Sequence, residues 1–397
     1  MLQTRSTCFV VILVAFIWAG TDASTWRNID FALNLLRELP QNKSTNTVFS
    51  PLGAFIPLAI LYSGANGETG QEIQRVLSSN KNNSGEDLLL SFQAFYETVC
   101  QHGANNSFLE QANVLVAKKE TKNKLRPAFK KLFDKGNVFH ASLWEISGQL
   151  PFQIDQWLSA ETGNKITHIL DVDAVNQNTV MLVVNAIRFK GVWSSKFEQR
   201  LNFKDTFHNA DGTASPSTFM FKRFKTRYHF DEELKTHVVA LPYQKLRARF
   251  IIFLPLEPSR LEDLKSKLTA TRWRSMLQKL GKRSVALSLP KFKLSSRYDL
   301  LEPLKKLGIK LLFGHGADLS GIDGDKDIFV DGFLQVSKLQ VDEEGSEAES
   351  ATVVRVSGKS AEEAATITVN HPFIFFITAG TDDAVLFAGQ VNHVDNS

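Results

Sequence analysis

Residues 341–360 read VDEEGSEAESATVVRVSGKS, small or acidic at the start and β-forming towards the end. Split at the period of two that a strand imposes, one face carries Ser346, Ala348, Ser350, Thr352, Val354 and Val356, and the other Glu347, Glu349, Ala351, Val353 and Arg355. The first face is small or apolar throughout. No proline interrupts the stretch to deny a ladder hydrogen bond, and Gly345 at its base offers a hinge because glycine reaches dihedrals that other residues avoid. Such a segment suits burial of its first face between two existing strands, with the charged face towards water. The same alternation also describes an ordinary edge strand and its loop, so the rest of the chain has to decide.

Working outward, Ala384 to Val391 reads as a strand, as do His237 to Pro242, Arg249 to Leu254 and Val285 to Leu289. Val180 to Phe189 is a β-branched apolar run too continuous for a half-exposed strand and implies a central sheet buried on both faces. Ser50-Pro51 opens a helix, with Ser50 at the cap and Pro51 where its missing N–H is harmless. Its apolar run ends near Leu61, and Gly64 to Gly67 stop it. Thr69 is expected to cap the next helix, on which Ile73, Val76 and Leu77 share a face. Helices come mostly early and strands mostly late, which favours an α+β fold over alternating βαβ units. At 397 residues, 43% hydrophobic and 22% charged, the chain is large enough for a substantial core. With no internal linker or repeat, one domain over residues 24–397 is expected.

The amino terminus carries Arg5, an apolar run from Cys8 to Gly20 and then Thr21-Asp22-Ala23, the pattern of a signal peptide over residues 1–23. The run is about 13 residues, short of the ~20 that a spanning helix needs. A secreted, extracellular protein without a membrane segment is expected. Of the two cysteines, Cys8 would leave with the signal, so Cys100 would have no internal partner. Secretion makes the Asn-x-Ser sequons at Asn42, Asn82 and Asn105 candidate glycosylation sites. A net charge of +4 does not argue for nucleic acid, and no aromatic-and-basic recognition motif accompanies it.

A search for enzyme signatures is nearly empty. His-Glu-x-x-His, Cys-x-x-Cys and the Gly-x-Ser-x-Gly elbow are all absent, so neither a metal site nor a catalytic centre is expected. Gly358-Lys359-Ser360 imitates the end of a phosphate-binding loop, but Val353 stands where that motif needs glycine. From Lys118 to Lys135, eight basic residues (Lys118, Lys119, Lys122, Lys124, Arg126, Lys130, Lys131 and Lys135) stand against two acidic ones. They form either a solvated helix face and loop or a contact for a glycosaminoglycan.

Several motifs together resemble the serpin family from about Trp26 to Val394. Residues 46–51 (NTVFSP) followed by 64–69 (GANGET) are similar to its helix B region, and 185–193 (NAIRFKGVW), ending at Trp193, to its central-sheet strand and the turn after it. Residues 343–348 (Glu343, Glu344, Gly345, Ser346, Glu347 and Ala348) resemble the hinge before the reactive loop. The carboxyl-terminal signature is matched by 370–375 (NHPFIF) and 386–389 (LFAG). Any one motif is weak, but their order and spacing are specific.

The resemblance implies three β-sheets, about nine helices and an exposed reactive loop over roughly residues 343–365. It also implies a mechanism. A serine protease attacks the loop as substrate, forms an acyl-enzyme, and is carried along as the cleaved loop enters the main sheet, distorting the oxyanion hole and triad that deacylation needs. Family spacing from Gly345 puts the scissile bond between Lys359 and Ser360; Ser360, Ala361 and the basic Arg355 are the alternatives. Lysine suits a trypsin-like protease, whose specificity pocket carries a carboxylate. The expected protein is a monomeric inhibitor of such proteases, and the rival is a non-inhibitory serpin acting as carrier, chaperone or storage protein. Two residues near the expected sheet opening depart from the family, Gly53 for serine and Gln335 for histidine, while Ser50 and Asn185 keep its pattern. Pro57, inside the helix, should remove one backbone hydrogen bond, worth about 3 kcal/mol if uncompensated.

Overall fold

The structure is a computed structural model. It describes residues 28–394 apart from 41, 79–82, 100–108, 135–140, 147–149, 168, 172–174, 176–178, 245–246, 347–363 and 381–382. Three sheets are formed among these residues. The largest, of nine strands, runs β1 (Thr47–Phe49), β16 (Ala384–Val391), β15 (Phe373–Ala379), β9 (Ala248–Pro255), β8 (Thr236–Pro242), β7 (Ala214–Asp231), β10 (Gly281–Pro290) and β14 (Ala365–Thr368), with β6 (Phe203–His208) also paired to β7. A five-stranded sheet runs β11 (Phe292–Asp299), β12 (Gly332–Val341), β4 (Met181–Phe189), β2 (Leu109–Ala117) and β3 (Ala141–Glu145). The third pairs only β5 (Gly191–Val192) with β13 (Gly345–Ser346).

Every residue of β4 is buried, because both faces of its sheet are covered. Met181, Val183, Ile187 and Phe189 point into the main core, shared with helix α2 (Pro51–Gly64). Leu182, Val184 and Ala186 join a second core under helix α7 (Leu150–Glu161), through Ile154 and Leu158. That doubly covered strand is why the sequence of β4 shows no polar alternation.

The order of the elements is more mixed than the sequence suggested. Beside α2 and α7 lie α1 (Asn28–Glu38), α3 (Gly67–Leu77), α4 (Gly85–Val99), α5 (Lys119–Lys124), α6 (Pro127–Lys130), α8 (Leu261–Lys267), α9 (Ala270–Gln278), α10 (Leu301–Lys306) and α11 (Ser320–Asp323). The count exceeds about nine because α5, α6, α10 and α11 span six residues or fewer. The early strand β2 and the 18-residue β7 went unread, the latter because charged residues fill its exposed face and hide its period. Helix α3 begins at Gly67 behind Asn66, two residues before Thr69. Thr69 is instead buried in the first turn, where its hydroxyl accepts from the backbone N–H of Asp318 at 2.9 Å.

Aromatic packing ties the nine-stranded sheet to its helices. Trp273 of α9 is fully buried, its ring stacked on Phe253 at 5.2 Å between centroids and edge-on to Phe376 at 4.4 Å. Among the described residues its indole N–H finds no acceptor, so the residue is held by area and ring geometry rather than by a polar bond. Trp273→Ala is expected to cost about 3–5 kcal/mol and Trp273→Phe less than half of that, read from urea unfolding midpoints.

Candidate functional site

The site begins where β12 ends. After Val341 the chain turns sharply, with the Asp342 carboxylate accepting from the N–H groups of Glu344 and Gly345 at 3.0 and 3.3 Å. It then pairs antiparallel with β5, Gly345 opposite Val192 and Ser346 opposite Gly191. Gly345 is obligatory here. Its φ is +152°, and a Cβ would lie 1.9 Å from the Gly191 carbonyl oxygen, a separation no side chain tolerates.

Both hinge glutamates are tied down. Glu343 is almost fully buried, hydrogen-bonded by the Asn202 amide and paired with Lys291 at 3.1 Å, while Glu344 pairs with Lys196. Their backbone carbonyls accept from Phe197 and Trp193 at 3.0 and 2.9 Å. Trp193 also donates its indole N–H to the Asp342 carbonyl at 2.9 Å and stacks on Tyr243 at 4.6 Å. The Tyr243 hydroxyl meets the buried Ser346 hydroxyl at 2.7 Å. Burial pushes the Tyr243 phenol up, far above its ordinary value, so it stays protonated and dipolar. Trp193 and Tyr243 thus form a platform beneath the hinge, which sequence reading missed for Tyr243 because no local motif marks it.

One strand-length away lies the second half of the site. The parallel β12–β4 ladder sets Gln335 opposite Asn185. The Gln335 side-chain amide embraces the Ser50 backbone, accepting from its N–H and donating to its carbonyl, both at 2.9 Å. The Ser50 hydroxyl accepts from the Gly53 N–H at 3.2 Å, capping α2, and donates to the Leu386 carbonyl at 2.6 Å. Asn185 donates to Asn113 at 2.9 Å, but its own buried carbonyl oxygen has no donor among the described residues.

The two departures from the family pattern are neighbours. A Cβ on Gly53 would stand 2.1 Å from the Asn185 carbonyl oxygen and 2.6 Å from the Gln335 amide nitrogen. The missing side chain at Gly53 therefore makes room for the longer amide of Gln335, and neither change is independent of the other. Pro57 lies on the same helix, which continues through it to Gly64. Lacking an N–H, it leaves the Gly53 carbonyl, four residues earlier, without its helical donor. The loosened turn of α2 is thus the one that touches the β4–β12 seam.

Other expected site residues are dispersed. Glu347, Ala348, Lys359, Ser360, Asn82, Asn105, Cys100, Lys135 and the signal segment lie outside the described residues. Asn42 is exposed. Lys119, Lys124, Arg126, Lys130 and Lys131 are exposed and Lys118 and Lys122 half-buried, spread over α5, α6 and the turns around them rather than one helix face. Lys124 is held by Asp325 at 2.6 Å.

The chain belongs to the serpin family, whose description is serine protease inhibitor and whose model matches residues 27–394. It is 31% identical to Iripin-1 of Ixodes ricinus over 96% of this chain and 97% of that one. It is 32% identical to leukocyte elastase inhibitor of Equus caballus, over 91% and 97% of the two chains. Among solved structures, the mouse protein-Z dependent protease inhibitor superposes with a TM-score of 0.81 at 27% identity, covering 94% of this chain and 98% of that chain.

Two outcomes are expected from this geometry. Gly53→Ala should destabilise by about 1–3 kcal/mol, and adding Asn185→Ala should restore part of the loss; strictly additive losses in urea unfolding would break the proposed coupling. Burial raises the Glu343 carboxyl, but hydrogen bonds from Asn202 and the backbone and the Lys291 charge outweigh it, holding the group below its ordinary range. Such a carboxylate stabilises the fold above its unfolded pKa, about 4.3, and loses that contribution as pH falls through the lower folded value. Glu343→Gln is therefore expected to flatten the acid limb of stability between about pH 5 and 3, measured by thermal unfolding.

Proposed function

We propose that this serpin is a secreted inhibitor of trypsin-like serine proteases, which it traps through cleavage at Lys359–Ser360 and insertion of the loop between β12 and β4. It needs no catalytic residues of its own. The observation that carries the reading is the Gly345–Ser346 ladder with β5, which already runs antiparallel to the continuation of β4.

Continuing that register one residue at a time pairs Ala348 with Phe189, Ser350 with Ile187, Thr352 with Asn185 and Val354 with Val183. The small face of the loop would then meet the side chains that β4 turns towards the main core. Only small residues suit that position, since a charge buried there without a partner costs several kcal/mol. Asn185, whose carbonyl oxygen has no donor among the described residues, would gain the Thr352 hydroxyl as a neighbour.

The same register would give Glu349 a protein neighbour in place of water. It falls opposite Arg188, which is 5% exposed and already pairs with Glu110 at 2.8 Å. A second carboxylate beside this guanidinium has a ready counter-charge and bidentate donors, so an acidic residue at Glu349 is compatible with insertion.

The secretory route accounts for the amino-terminal apolar run and gives the sequons their meaning. The cations between Lys118 and Lys135 remain a proposed contact for a sulfated polysaccharide.

Mixed with trypsin, the purified protein is expected to give an SDS-resistant complex of both chains, and Lys359→Ala to lose it. Clean cleavage without a complex would favour the carrier or storage reading, and a complex retained by Lys359→Ala would move the scissile bond elsewhere.

A further inference from the structure

Strand β14 receives the chain as it returns from residues 347–363 and pairs in parallel with β10, Val285 opposite Ala365 and Ala286 opposite Thr366. On the other side β10 pairs antiparallel with β7 over ten residues, Ala286 opposite Arg223, Ser284 opposite Lys225 and Lys282 opposite Arg227. Directly opposed residues share a face, as do residues two apart along a strand. Arg223, Lys225, Arg227 and Lys282 therefore stand together on one face of the sheet, and all four are exposed.

The opposite face of the same strands carries Phe224, Val285 and Leu287, with Lys222, Thr226 and Arg283 among them. Val285 and Leu287 are buried in the main core, with Phe224 packed against it. On the outward face the residues of β10 beside Lys225 and Arg223 are small, Ser284 and Ala286. From Arg223 to Arg227 the row is about 13 Å long, at ~3.3 Å per residue.

The arrangement has a cost. Lys282 and Arg227 are directly opposed like charges, which weakens a sheet. Among the described residues no carboxylate pairs with Arg223, Arg227 or Lys282, although the neighbouring Arg272 is paired with Glu233 and Asp231. The exposed cations Arg223, Arg227 and Lys282, beside Lys225 on the strands that carry the returning loop, are complementary to an anionic surface held at that loop.

We propose that this face of β7 and β10 is an exosite that docks an acidic patch on the target protease while its active site engages the loop. The proposal rests on the chain being a protease inhibitor and narrows the target among trypsin-like enzymes to those with acidic surface beside the active-site cleft. Charge complementarity of this kind acts chiefly on encounter and selectivity, accelerating association by one to three orders of magnitude at low salt.

The test compares anionic and cationic trypsin, which share a specificity pocket and differ in surface charge. Two variants are used, Arg223→Glu/Lys225→Glu/Arg227→Glu/Lys282→Glu and its neutral glutamine counterpart, so that a folding defect from reversal is recognised. The wild-type chain is expected to form complex with anionic trypsin at least about ten times faster than the reversed variant does, with the neutral variant between them. Cationic trypsin should react with the reversed variant as fast or faster. Raising the salt from about 0.05 to 0.5 M should remove most of the difference.

Binding of anionic trypsin with its catalytic serine replaced by alanine is measured alongside, because it reads surface docking whether or not the active enzyme is trapped. If no active trypsin is trapped yet the inactive enzyme still binds about ten times more weakly to the reversed variant, the exosite stands and the inhibitor reading falls. Equal effects on both trypsins, no effect on either, or loss of heparin retention with unchanged protease rates would each overturn the exosite.

Discussion

The parallel ladder between β12 and β4 is the constraint on which the rest of the molecule depends. Seven residue pairs, from Gly332 with Leu182 to Lys338 with Arg188, close the five-stranded sheet. Any new strand entering there must break those bonds and replace them. Both halves of the site bear on that seam. At one end the Trp193–Tyr243 platform holds Gly345 and Ser346 against β5; midway, Gln335 grips the Ser50 backbone and fastens β12 to the start of α2. The seam is thus closed by the seven-pair ladder and fastened to α2 by a small number of buried polar bonds.

That view changes the meaning of the unusual residues. Gly53, Gln335 and Pro57 look in sequence like three separate departures. In space they meet at one turn of α2, where the absence of a side chain, a long amide and a missing N–H adjust one another. The Asn185 oxygen, which has no donor among the described residues, lies at the same point. A polar group buried without a donor raises the energy of the closed sheet by roughly 1–3 kcal/mol relative to a satisfied one, and such stored cost favours whatever rearrangement supplies a donor.

Much of this was legible in the sequence, and the exceptions have physical causes. The central strand was readable because burial on both faces removes polar alternation, and β8, β9, β10 and β16 because their apolar runs are bounded by Gly, Pro or charge. The strand β7 was not, since Arg223, Lys225 and Arg227 occupy its solvent face and Thr226 interrupts the apolar one. The hinge was legible through Gly345 and the small residues after it. Tyr243 was not, being far from the hinge in sequence and brought under Ser346 only by the pairing of the sheets.

The account's central claim is that cleavage lets residues after Ser346 extend the β13–β5 ladder down β4. The structure of the chain cut in its loop tests this most directly. The account predicts a new strand between β12 and β4, with Glu349 opposite Arg188 and Thr352 opposite Asn185. A cleaved chain in which Gln335 still pairs with Asn185 across an unopened sheet would contradict it.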